Sequence, residues 1–246
     1  MLTEGLYFYH GTTSSSARHI IAGGARDLNA ALNMQVAARL IVERIEKAPG
    51  GYVQAFQDAG SKIPTTAPIA LRNLAEGYSE SLFAYGPFFA TLDPRSAYKY
   101  ALRGGAEALQ CLREGIAVTE WLGDPVHSEL RSVCSDLLQA IDALSVSHPV
   151  IIGLRGIPAS RIARESGAAV TVDWLKFMAD LVAQPGYSVP ATVRISDVAP
   201  SDVVAVHDLA GHKAIDDPMP YFDEGWSLPR SVAPSLWLGS LGNSLK

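Results

Sequence analysis

The chain of 246 residues has little cysteine, little charge and no long apolar run. Two cysteines, Cys111 and Cys134, are too few for a disulfide framework or a four-cysteine zinc site, so a reducing compartment is expected. No stretch of 18 or more uncharged apolar residues occurs, so no membrane-spanning helix is expected. The first residues, Met1 to Gly5, carry neither a basic segment nor an apolar one, and a cytoplasmic protein is the expectation. Charged residues make up 18% against 48% apolar ones, which excludes global disorder. The net charge of -5 offers no bulk attraction for nucleic acid, while leaving room for a local basic rim. No repeat, phosphate loop, G-x-G-x-x-G, H-E-x-x-H or G-x-S-x-G is present, and no histidine pair has the spacing of a metal site.

Short strand signals occur near both ends and at the centre, with helical periodicity between them. Leu6 to His10 reads as a buried strand broken by Gly11-Thr12-Thr13, with a helix over Ser16 to Ala22 capped by the Ser/Thr run. Helical periodicity follows over Asp27–Lys47, Tyr52–Asp58 and Leu71–Ser81, with Ser61 to Pro68 as a loop. Tyr85-Gly86-Pro87 predicts a turn, Phe88 to Thr91 a strand, and Asp93-Pro94 the start of a helix to about Arg103. Helices are expected over Ala106–Leu112 and Ser128–Leu144, with Trp121 in the loop between them. A strand is expected at Pro149–Leu154, a helix at Thr171–Val182, and strands at Ala191–Ile195 and Val203–Val206. The tail from Asp216 is punctuated by prolines and reads as loops anchored by Trp226 and Trp237. Because βαβ units do not alternate regularly, the class is α+β. One domain over 1–246 is expected, lengthened by helical insertions at about 27–82 and 106–146.

Two segments carry candidate chemistry. His10-Gly11-Thr12 places an imidazole at a strand end beside a backbone without a side chain. Gly86-Pro87-Phe88-Phe89-Ala90-Thr91, followed by Asp93-Pro94-Arg95-Ser96-Ala97-Tyr98-Lys99-Tyr100, is turn, strand and helix. Phe88 and Tyr98 would serve equally well as core aromatics. Thr192, Arg194 and Ser196 share one face by strand alternation.

Together these segments resemble the ADP-ribosyltransferase superfamily, on its diphtheria-toxin and poly(ADP-ribose)-polymerase side. His10-Gly11-Thr12 is similar to its His-Gly-[Ser/Thr] strand, and Gly86 to Ala90 to its Gly-x-Tyr-Phe-Ala strand, with Phe88 in place of tyrosine. Ser96-Ala97 matches its serine-alanine pair, and Val198 to Val204 resembles its closing Val-x-Pro pattern. The resemblance implies a split, mostly antiparallel sheet and NAD⁺ as co-substrate. It implies that His10 bonds the ribose, that the Gly11 backbone and the Ser96 hydroxyl hold the carboxamide, that Thr12 belongs to the cofactor-binding set, and that Phe88 and either Tyr98 or Tyr100 flank the nicotinamide ring. It also implies a macromolecular acceptor, protein or nucleic acid, no membrane partner, and a role as bacterial toxin, effector or defence protein with a neutralising antitoxin or chaperone. The family's glutamate at the start of its last motif strand is absent, since no acidic residue lies between Asp180 and Asp197. Thr192 occupies that position, or Glu165 or Glu224 reaches in, or the activity is lost or altered. An RNA 2′-phosphotransferase of the same fold, with Arg95, Arg103, Arg155 and Arg194 available for phosphates, is one alternative. A catalytically inactive interaction module is another.

Overall fold

The computed structural model describes residues 5–25, 33–60, 66–77, 88–102, 105, 107–184, 191–212 and 228–243. The expected cap Asp27, the turn at 85–87, and Arg103, Glu224 and Trp226 lie outside these residues. By internal contacts the chain divides into two compact units. One comprises residues 1–26, 87–105 and 147–246, and the other residues 27–86 and 106–146. The two stretches read as helical insertions therefore gather into a unit of their own.

The first unit holds six strands: β1 (Tyr7–Thr13), β2 (Phe88–Thr91), β3 (Pro149–Arg155), β4 (Ile162–Arg164), β5 (Thr192–Ile195) and β6 (Val203–Asp208). They form one sheet in the order β4-β5-β2-β1-β3-β6, every pairing antiparallel. With the helices, this is the expected α+β class. β1 pairs with β3 along its whole length, and β2 with β5 along its whole length, yet β1 and β2 share only the Tyr9–Thr91 register. The sheet is thus two three-stranded halves joined at one residue pair.

Strand alternation sorts the side chains onto two faces. Phe8, Ile152, Leu154, Val206, Ala90, Val193 and Ile195 share one face. They form a core with Ala17, Ile20 and Ile21 of α1 (Ser14–Gly23), Leu175, Met178 and Val182 of α9 (Val172–Val182) and Trp237 of α10 (Pro234–Asn243). Full burial of each such aliphatic contributes about 1.5–3 kcal/mol, which is what fixes the register. On the other face, Ala97, Ala101 and Leu102 of α5 (Pro94–Leu102) pack on Ile151, with Tyr9, Tyr98 and Leu209 alongside.

The second unit is helical: α2 (Met34–Ile45), α3 (Gly51–Asp58), α4 (Thr66–Glu76), α6 (Glu107–Trp121), α7 (His127–Val133) and α8 (Ser135–Ala143). Met34, Ile41, Ile45, Leu71, Leu112, Leu130 and Leu137 make its core. Among the described residues no helix is long and apolar enough to cross a membrane.

Several local expectations change. β1 does not break at Gly11 but runs on to Thr13, because Gly11, Thr12 and Thr13 pair with Ile151, Val150 and Pro149. Thr13 then caps α1, its Oγ1 accepting from the Ser16 amide at 3.3 Å, so the helix begins two residues before Ser16. The expected Ala106–Leu112 helix extends to Trp121. Gly115 does not stop it, because that glycine serves close packing: an added Cβ would stand 2.7 Å from Ile41 and 2.8 Å from Leu71. The Ser128–Leu144 stretch is two helices, parted where Cys134 leaves helical geometry at φ -141°. Helix α4 starts at Thr66, inside the expected loop. The tail is not all loop: α10 starts at Pro234, where a missing amide hydrogen costs nothing, and it buries Trp237. β4, only three residues long, has no sequence counterpart above.

Candidate functional site

The expected site residues lie on β1, β2, β5 and α5, on either side of the place where β1 and β2 part. Beyond the Tyr9–Thr91 pair, His10 bridges the two strands through its side chain. Its Nδ1 lies 2.6 Å from the Phe89 carbonyl oxygen. A carbonyl can only accept, so Nδ1 carries the proton and Nε2 presents a lone pair. Burial pushes the His10 pKa down to about 4, against the opposing effect of the Phe89 hydrogen bond. The imidazole is therefore neutral near pH 7, and Nε2 is suited to accept a hydrogen bond from a hydroxyl. The Phe88 ring lies against it, centroids 4.2 Å apart and tilted by 34°.

Gly11 and Thr12 are held from the α5 side. A Cβ on Gly11 would stand 2.1 Å from the Ala97 carbonyl oxygen and 2.7 Å from the Ala101 amide nitrogen. Only glycine lets the helix backbone come that close to β1. Gly105 repeats the device one residue on, its own Cβ position 2.5 Å from the Thr12 Cα. Gly11 thus has a packing role that the motif alone does not reveal.

Asp93 organises the start of α5. Buried to 2% exposure, its Oδ1 accepts from the Arg95 amide at 3.1 Å and from Arg95 Nε at 2.9 Å, while Oδ2 accepts from the Ser96 hydroxyl at 2.8 Å. The expected cap is present, and the Ser96 hydroxyl is directed into it. Arg95 also donates to the Val182 carbonyl at 2.6 Å. Sequence reading found Asp93 as a cap but not as the group that orients Ser96; the i, i+3 spacing carried that signal.

Tyr98 and Tyr100 sit on the same helix. Tyr98 is half-buried, its hydroxyl 2.9 Å from His212 Nδ1 with the rings edge-on, and Tyr100 is 44% exposed. Thr192 stands opposite Thr91 in the β2–β5 ladder, and Arg194 opposite Phe89. By alternation Thr192 and Arg194 share the face of Tyr9, Gly11 and α5, whereas His10 and Phe88 point to the other face. The structure therefore joins His10 with Phe88, and Gly11 with the helix of Ser96, Tyr98 and Tyr100. Thr192 lies one strand beyond the join, level with Tyr9 across Thr91. Among the described residues no group of three His, Cys, Asp or Glu side chains could hold a metal ion.

No protein-family model matches the chain, and no curated protein or solved structure is significantly similar to it.

Proposed function

We propose that the first unit is an NAD⁺-dependent ADP-ribosyltransferase that transfers a single ADP-ribosyl group to a protein or nucleic acid and releases nicotinamide. The observation that carries this reading is the sheet joined at one pair, with a neutral His10 fixed to the Phe89 carbonyl and Phe88 against its ring. That arrangement supports a role for His10 Nε2 as acceptor for a ribose hydroxyl. The Phe88 ring beside His10 suits a flat pyridinium amide, and Gly11 and Ser96 offer polar groups near α5.

In the reaction the C1′–N bond breaks and its electron pair leaves with nicotinamide, so no general acid is needed. The acceptor's heteroatom bonds C1′ and gives up its proton. The ribose passes through a cationic centre, which orientation and nearby negative charge stabilise. Thr192 supplies a hydroxyl where the resembled family has a carboxylate. It can orient the ribose but cannot oppose the cation with charge, which supports slow transfer of one unit over chain synthesis. Buried free thiols at Cys111 and Cys134 agree with action in a reducing compartment, where an antitoxin would restrain such an enzyme.

The missing carboxylate also favours a second reading, an interaction module without turnover. Nicotinamide release from NAD⁺ by the purified chain, alone and with cell lysate, separates the two. The transferase reading expects release that is lost in His10→Ala with folding intact and raised in Thr192→Glu. No release from either the wild type or Thr192→Glu would leave the inactive module.

A further inference from the structure

Thr192 and Arg194 belong to a patch whose chemistry differs from the cation-stabilising role described above. The arginines Arg44, Arg72, Arg95 and Arg161 each meet a carboxylate. Arg194 meets none among the described residues, and its Nε is buried without a hydrogen-bond partner. Its guanidinium lies over the Phe89 ring, 5.6 Å from the centroid, and the turn at Gly167 runs beside it, an added Cβ there standing 3.7 Å from Nη1. Its cross-strand neighbours are Phe89 and Ala163, neither of which accepts a hydrogen bond through its side chain. A half-buried cation held by an aromatic ring and lacking an acceptor is poised for an anion brought by a ligand.

Two hydroxyls share that face. Thr192 is on the same strand two residues away, and Thr91 is its register partner. Thr91 Oγ1 accepts the Asp93 amide at 3.0 Å, which leaves its own hydrogen to donate. Asp93, two residues on from Thr91, is already bonded to Arg95 and Ser96. Two hydroxyl donors and a guanidinium that meets no carboxylate among the described residues suit a tetrahedral oxyanion.

We propose that Thr91, Thr192 and Arg194 form a phosphate-binding subsite, taking either the diphosphate of the dinucleotide or a phosphate on the acceptor. The subsite is argued from this geometry alone; its service to ADP-ribosyl transfer rests on the preceding reading. The test is calorimetric titration of the full chain with inorganic pyrophosphate, with NAD⁺ beside nicotinamide riboside, and with an oligoribonucleotide with and without a 5′-phosphate. Arg194→Met is expected to weaken pyrophosphate binding about tenfold or more, the usual effect of losing a charge-assisted hydrogen bond, with Arg194→Lys in between. A matching loss for NAD⁺ assigns the subsite to the dinucleotide, and a matching loss for the phosphorylated oligonucleotide assigns it to the acceptor. Thr192→Val provides a second, charge-neutral probe and is expected to weaken the same ligand. The proposal is overturned if the wild type binds neither pyrophosphate nor a phosphate-bearing ligand more tightly than its phosphate-free counterpart. It is equally overturned if folded Arg194→Met and Thr192→Val bind all of them as the wild type does. Arg194-dependent pyrophosphate binding without nicotinamide release would keep the subsite and remove the transferase reading.

Discussion

Lowering the pH from 7 to 5 should destabilise the first unit through His10. An unfolded histidine titrates near 6.5, and burial places His10 at about 4 in the fold. The folded state therefore binds fewer protons, so the contribution is fully present above the unfolded pKa and lost as pH falls toward the folded one. The difference of about 2.5 pH units corresponds to about 3 kcal/mol at full protonation. Integrated only between pH 7 and 5, it amounts to about 2 kcal/mol. Urea unfolding of the wild type at both values, followed by a probe in the sheet, measures it. His10→Asn keeps an amide N–H for the Phe89 carbonyl but does not titrate, so its unfolding free energy should fall by about 2 kcal/mol less over the same range. Proton NMR of the imidazole gives the same quantity directly. A His10 titration near 6.5, or equal pH slopes in wild type and His10→Asn, would refute the burial argument.

Gly11→Ala should displace α5 from β1, because its Cβ would stand 2.1 Å from the Ala97 carbonyl oxygen and neither backbone can yield by a side-chain rotation. The expected cost is about 2 kcal/mol or more, seen as a melting shift of roughly 4–8 °C, and an unchanged melting temperature would contradict the close approach. Asp208 gathers the C-terminal helix to β6. Partial burial raises its pKa, but bonds from Trp237 Nε1 at 2.7 Å, the Ala210 amide at 2.8 Å and His148 Nε2 at 3.1 Å outweigh it and hold the carboxylate below its usual range. Asp208→Ala should cost about 1–3 kcal/mol and speed hydrogen exchange at the Trp237 indole, and an indole that stays protected would show that packing alone holds the helix.

Much of the fold is written locally. The strand at Phe88–Thr91 and the Asp93-Pro94 helix start are short-range patterns, as is the Thr171 cap, whose Oγ1 accepts the Trp174 amide at 3.1 Å. What was not legible depends on partners far along the chain. Gly11-Thr12-Thr13 looks like a breaker until β3 supplies its pairing, and β4 is too short to show any period. Trp237 signalled an anchor, yet the helix around it needed the core beneath to form. In the candidate site, the residue types at His10 and Phe88 were visible, but the Phe89 carbonyl that sets the imidazole tautomer is backbone and leaves no trace in sequence. Alternation did predict that Thr192 and Arg194 share a face. The missing acceptor for Arg194 became visible only when Ala163 and Phe89 were found on either side of it.

The pairing of β1 with β3 also has a history in the ribosome. Thr13 and Pro149 are adjacent in the ladder but 136 positions apart in the chain (149 − 13), and helices α2 to α4 and α6 to α8 lie between them. At 5–20 residues per second, β1 waits roughly 7–27 s for its main partner. During that time its aromatic Tyr7-Phe8-Tyr9 run has only the single Tyr9–Thr91 pairing with β2 to join, while the helices can already condense from nearby contacts. A nascent chain of this design exposes an aromatic strand well before its main partner is made, so its yield should depend on how fast it is translated and on whatever shields β1 in the interval.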